Sequence, residues 1–257
     1  MRVNLSFSMS NELEPDELGT DWFTRLNAPF FTHSTGLEEL DDSLGGGIKP
    51  REIISINGDG GSGKTQLVWT IMTEFLLRNR SEKGFIYYVD FHRGLVPVRL
   101  RQILRARARE LDEKDVEKLL KKILYIHLND EQELWELVRN FSNYCGEKNA
   151  MMLIIENIGS ILARTTISGI QKELQRKIHY VLDYIGSTKN IPVIITNHIA
   201  QDNVKPALGV FWNELIQKHI FLGSYGGNQV MQYFFEMQPH KLLRFFVSDT
   251  GIKIVKR

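Results

Sequence analysis

Residues 58–65 read Gly58-Asp-Gly-Gly-Ser-Gly63-Lys64-Thr65, a complete G-x-x-x-x-G-K-[ST] pattern, and no other stretch constrains the fold as strongly. Glycines let such a loop wrap so that consecutive backbone N–H groups point inward at an anion. The helix expected to follow adds its own unpaired N–H groups and the positive end of its dipole. Lys64 would reach β- and γ-phosphates, and Thr65 would offer its hydroxyl to Mg²⁺. Residues 51–57 before the loop are short, apolar and β-branched, which predicts a buried strand. Residues 65–78 after it have the length and apolar spacing of a helix. Strand, glycine loop and helix in that order argue against the bland alternative, a glycine-rich surface loop. Gly58, Asp59, Gly60, Gly61, Ser62, Gly63, Lys64 and Thr65 are therefore the candidate contacts to a nucleoside triphosphate, with ATP and Mg²⁺ the expected cofactors.

The chain has 257 residues, 42% of them hydrophobic, enough for one large α/β domain; a second full domain is not expected. A formal net charge of +1 favours neither a nucleic-acid nor a membrane partner globally, though it leaves room for local basic surfaces. The single cysteine, Cys145, rules out an internal disulfide and fits a reducing compartment. No apolar run is long enough to span a bilayer, and the first residues lack a signal-peptide pattern, so no membrane partner is expected. There is no internal repeat and no low-complexity block.

Residues 1–31 predict a flexible N-terminal arm and residues 32–257 the folded core. The arm gathers Glu12, Glu14, Asp16 and Glu17, then places Trp22, Phe23 and Leu26 ahead of any core element. Two readings of these apolar residues stand: they pack back on the domain's own surface, or they dock on another protein within 21–28. Downstream, residues 85–90, 123–128, 151–156 and 192–196 read as strands, alternating with helices at 97–111, 115–122, 131–144 and 169–185. The helix at 97–111 is crowded with arginine, including Arg99, Arg101, Arg105, Arg107 and Arg109. Val98, Leu100, Ile103, Leu104 and Leu111 form its apolar stripe, which predicts that the arginines mostly occupy solvated faces. The last part changes to short strands with tight turns. The expected fold class is α/β, a mostly parallel sheet with helices on both faces and an antiparallel C-terminal edge.

At this point the residues resemble a known family. Thr35-Gly36-x-x-x-Leu40-Asp41, then Leu44-Gly-Gly-Gly47, then the loop ending Gly63-Lys64-Thr65-Gln66-Leu67, is similar to the RecA/RadA recombinases, most of all to their eukaryotic branch and its paralogues. The likeness continues through residues 88–100, through Ile194-Ile195-Thr196-Asn197-His198, and through Pro206-Ala207-Leu208-Gly209-x-x-Trp212. It implies a RecA-like P-loop ATPase core over roughly 32–256 and adds Gln66 to the nucleotide-binding set. The strand ending at Glu156 resembles the family's Walker B strand, which implies that Glu156 shares the metal with Thr65, one methylene longer than the usual aspartate. The family's catalytic glutamate is replaced by His92. A carboxylate is ionised at neutral pH; a neutral imidazole can also take a proton but differs in shape and reach. His198 stands where the family has a phosphate-sensing glutamine; a plain surface histidine is the other reading.

The resemblance also places two DNA-contacting loops. The first would include Arg164; the second, 200–206, is short, with Lys205 its basic residue. The family's N-terminal helix-hairpin-helix domain does not fit before Thr32, and no Phe-x-x-Ala subunit-docking tetrapeptide occurs in the chain. The resemblance therefore implies a nuclear, ATP-binding recombinase paralogue with weak or no intrinsic hydrolysis. Its implied partners are another recombinase-like subunit in a hetero-complex, a recombinase filament and single-stranded DNA. The alternatives are a self-assembling DNA-dependent ATPase that performs strand exchange, and a RecA-fold P-loop ATPase outside recombination.

Overall fold

The computed structural model describes residues 32–145, 148–163, 168–199, 208–216, 218–236 and 238–256. The first half of the chain holds α1 (Glu38–Ser43), β1 (Ile53–Gly58), α2 (Lys64–Arg78), β2 (Phe85–Asp90), α3 (Pro97–Arg107), α4 (Glu113–Leu120) and β3 (Ile123–His127). It continues with α5 (Glu131–Arg139), α6 (Phe141–Cys145), β4 (Ala150–Glu156), α7 (Ile158–Leu162), α8 (Ser168–Lys189), β5 (Val193–Asn197) and α9 (Gly209–Leu215). The end is all strand: β6 (Lys218–Tyr225), β7 (Asn228–Phe235), β8 (Gln238–Ser248) and β9 (Gly251–Ile254).

The described strands form one nine-stranded sheet in the order β3-β2-β4-β5-β1-β6-β7-β8-β9. Pairing is parallel from β3 through β6 and antiparallel from β6 through β9. The expected fold class is the observed one. The central strands are apolar at nearly every position because both of their faces are covered. Ile54, Ile56, Ile86, Tyr88, Met152 and Ile154 face one side and pack with Leu67, Ile71, Phe75, Leu100 and Ile103 of α2 and α3. Tyr87, Val89, Leu153, Ile155, Val193 and Ile195 face the other side, against Leu134, Phe141, Ile158, Leu182 and Trp212. Register aligns the strand ends: Asn57 lies beside Asn197, Asp90 beside Glu156, and Gly58 beside Leu222. The loops leaving β1, β2, β4 and β5 therefore emerge at one edge, where parallel α/β sheets bind ligands.

Two expectations change. The helix expected over 131–144 is divided at Asn140, whose backbone sits at φ −103° and ψ 17°. Asparagine competes with its own backbone for hydrogen bonds and favours such breaks. The helix expected over 97–111 ends at Arg107, and its arginines are not all solvated. Arg101 and Arg105 do lie outside, where both pair with Glu113. Arg99 and Arg107 turn inward. The β8–β9 turn docks on this helix and presents bare carbonyls, and guanidinium groups satisfy them: Arg99 donates to Ser248 O and Arg107 to Thr250 O at 2.8 Å. Arg107 also pairs with Glu74 of α2 at 2.7 Å, with side-chain exposures of 12% and 15%.

Replacing Arg107 by Ala leaves the Thr250 carbonyl without this donor and Glu74 with Arg78 as its remaining cation, and should destabilise the fold by about 1–3 kcal/mol. Replacing Arg105, whose side chain is 54% exposed, should change stability by no more than about 0.5 kcal/mol. Urea denaturation of the two variants checks the contrast, and equal losses would contradict it.

Candidate nucleotide-binding site

Strand β1 delivers the glycine loop directly from the sheet. Gly58 leaves no room for a side chain: a Cβ there would collide with Ser62 Oγ and Leu222 O. Gly63 takes φ 101°, a left-handed turn that starts α2, and its face packs under the Phe245 ring of β8. At the mouth of the loop the space is open, since a Cβ at Gly60 or Gly61 would meet nothing within 4 Å. The Lys64 ammonium folds back into the loop and donates to Gly58 O at 2.6 Å and Asp59 O at 2.7 Å. Burial lowers its pKa, and the Glu156 and Asp59 charges oppose that shift.

Thr65 and Glu156 are 91 residues apart in the chain and meet here, with Thr65 Oγ1 donating to Glu156 Oε2 at 3.0 Å. Glu156 ends β4 and is only 7% exposed. Burial pushes its carboxyl up to about 7; the Thr65 hydroxyl opposes this and the Asp90 charge adds to it. Its second oxygen, Oε1, is buried without a hydrogen-bond partner among the described residues.

Asp90 ends β2 and shapes the loop that follows. Its Oδ1 accepts from His92 N at 2.9 Å, its Oδ2 accepts from Gly94 N, and the Tyr125 hydroxyl donates to Oδ2 at 3.2 Å. This fixes the turn that carries His92 toward β4. There the His92 ring meets Asn157, whose Nδ2 lies 3.1 Å from Nδ1 and 3.4 Å from Nε2. Asn157 sits in the left-handed region at φ 61°, which its short polar side chain tolerates. Its N–H donates to Thr196 Oγ1 at 2.7 Å, tying β4 to β5. His198, just past β5, is held below the ordinary imidazole range first by burial, then by the charges of Lys64 and His92. Lys64, Glu156, His92 and His198 thus lie at one end of the sheet, within electrostatic reach of one another. Where α2 and α3 meet the β8–β9 turn, a recess of about 560 Å³ is lined by Gln66, Arg99, Val247, Ser248 and Asp249. Arg99 donates to Gln66 Oε1 at 3.1 and 3.2 Å there.

In comparison with known proteins, residues 28–220 match the Rad51 family. The chain belongs to the Rad51 family. It is 26% identical over 230 residues to the mouse protein named DNA repair protein RAD51 homolog 4, covering 82% of this chain and 68% of the relative. It is 28% identical over 251 residues to RAD51-like protein 1 of Caenorhabditis elegans, covering 93% of this chain and 96% of the relative. It is 31% identical over 180 residues to DNA repair and recombination protein RadB of Pyrococcus furiosus, covering 69% of this chain and 72% of the relative. The chain spans about two thirds of the length of its mammalian relatives.

The residues present fit the Rad51-family cofactors. Among the described residues no three or more His, Cys, Asp or Glu groups could cage a metal by themselves. Mg²⁺ does not need such a cage, because it keeps waters and takes one or two protein oxygens together with phosphates. The orphaned Glu156 Oε1 beside Thr65 Oγ1 is an oxygen set of that kind. The buried, unpartnered Ser62 Oγ is a further polar atom in the loop. Trp22, Phe23, Leu26, Arg164 and Lys205 lie outside the described residues. Sequence reasoning missed Asn157 and the inward role of Arg99. An asparagine directly after a strand-end carboxylate is a signal for the first; no local signal marks the second.

Glu156 carries a pH signature. The unfolded chain releases this proton near 4.5 and the folded chain near 7, so the folded state holds an extra proton in between. The group's contribution to stability therefore falls as pH rises through that window and stays lost above it. Glu156→Gln in the ligand-free protein should be more stable than the parent by on the order of 2–3 kcal/mol at about pH 8, a gain that shrinks towards pH 5. Urea midpoints across that range test it, and a pH-independent difference would be the wrong outcome.

Proposed function

We propose that this Rad51-family chain is an ATP-binding recombinase paralogue that assists homologous recombination. In this reading it pairs with another recombinase-like subunit and remodels or stabilises recombinase filaments on single-stranded DNA, with feeble hydrolysis of its own. The observation that carries the reading is the junction of Thr65 with Glu156 above the complete glycine loop, which His92 rather than a carboxylate overlooks. ATP would lie on residues 58–65, with Lys64 neutralising phosphate charge and Thr65 and Glu156 holding Mg²⁺. The metal would screen phosphate negative charge. Asn157 orients His92 at the same edge, so a base is present but with an imidazole's reach. A positioned general base typically contributes roughly 10²–10⁴-fold in rate, and a misfitted one forfeits part of that.

The relatives support the setting. Three of them are named for DNA repair or for RAD51, which favours a nuclear role in recombination for this chain. No helix among the described residues is long and apolar enough to cross a membrane. Arm residues Trp22, Phe23 and Leu26 are the proposed partner anchors, in keeping with the concentration of interface energy in a few buried aromatic side chains. Arg164 and Lys205 are the proposed DNA contacts.

Electron microscopy of the purified protein with a non-hydrolysable ATP analogue and single-stranded DNA tests the assignment. The protein alone should form no long filaments, and mixing it with a recombinase should alter that protein's filaments. Long regular filaments of this chain alone, with brisk phosphate release lost in Lys64→Ala, would identify a self-assembling recombinase instead.

A further inference from the structure

His219 is a fully buried histidine that the nucleotide site leaves unused, in the second position of β6. Its Nε2 lies 2.7 Å from Ile216 O and 3.4 Å from Asn213 O, at the C-terminal end of α9. Carbonyls only accept, so Nε2 carries the proton and Nδ1 presents a lone pair. That lone pair faces Asn57 Nδ2 at 3.2 Å. Asn57 is equally buried, and the rest of its amide is accounted for: Nδ2 also donates to Ser55 O at 3.1 Å, and Oδ1 accepts from Ser55 Oγ at 2.9 Å. The side-chain polar atoms of Ser55, Asn57 and His219 all have partners, so the Asn57 amide cannot flip without stranding one.

The placement of this network gives it a purpose. Asn57 is the last residue before Gly58, whose carbonyl holds the Lys64 ammonium. Asparagine is disfavoured in strands, and a buried amide is costly unless fully paired, so packing alone does not call for it here. Register pairs β1 with β6 continuously from Ile54 beside Lys218 to Gly58 beside Leu222, with Ser55 directly beside His219.

We propose that His219 is a positioning residue for the phosphate loop: acting through Asn57, it holds the end of β1 from which Gly58 departs and ties that end to the last turn of α9. The binding consequence rests on the nucleotide reading above; the positioning itself does not.

His219→Leu and His219→Gln in the full chain test it. Leucine fills the space without polar atoms. Glutamine restores both functions, accepting from Asn57 at Oε1 and donating to Ile216 O from Nε2. In nucleotide-free His219→Leu, amide hydrogen exchange at residues 58–63 should accelerate by about tenfold relative to the amides of β4, which report opening of the core. Affinity for a fluorescent ATP analogue should weaken by about tenfold, while His219→Gln stays within about threefold of the parent on both measures. Should the leucine variant fail to fold, His219→Met, whose flexible side chain adapts to the space, carries the same expectation. Exchange that rises equally over the loop and β4, or a folded leucine variant that exchanges and binds like the parent, overturns the proposal and leaves His219 a packing residue. If the loop alone loosens but the parent binds no analogue, the positioning role is supported and the nucleotide reading fails.

Discussion

Strand β1 is hydrogen-bonded on both sides by parallel neighbours, β5 and β6, and every one of its residues is buried. A parallel strand with both faces covered has no freedom to slide, because a one-residue slip would move its apolar set to the wrong layer. The departure point of the glycine loop is therefore set by the core. The same pinning aligns the ends of β2, β4 and β5, and this lets residues from far-apart stretches share one small volume. Loop chemistry here is delegated from sheet packing.

Much of that frame was legible beforehand. Continuous apolar runs such as Met151 to Ile155 can be little else than doubly covered strands, and a glycine loop between strand and helix leaves little choice of its role. The convergence of Lys64, Glu156, His92 and His198 follows once the strands are parallel and share an edge. What escaped was set by contacts between distant parts. Arg99 and Arg107 look like a solvated basic face because nothing in their helix says that a turn some 140 residues later will offer them carbonyls. Asn157 escaped because its left-handed backbone is a consequence of the strand-to-helix junction. The network around His219 escaped because each member, read alone, is an ordinary polar residue in an apolar strand.

The electrostatics of the site follow from depth. Glu156 and Lys64 are both buried at the loop, and burial penalises each charge while their mutual attraction repays part of it. In the proposed reading, phosphate oxygens and a divalent cation would complete the compensation of both charges. A site whose own charges are under-compensated binds a counter-charged ligand with an energetic advantage that an open, hydrated surface cannot offer.

The wall of the glycine loop comes from strands far downstream of it. Phe245 lies under Gly63, Leu222 O lies against Gly58, and the β8–β9 turn is clamped by Arg99 and Arg107. On the ribosome the glycine loop is made well over a hundred residues before these backing residues emerge. Contacts of such long sequence separation form late, since loop closure must be endured before they reward the chain. During synthesis the signature motif is thus present long before its backing, which is complete only when the β8–β9 hairpin closes.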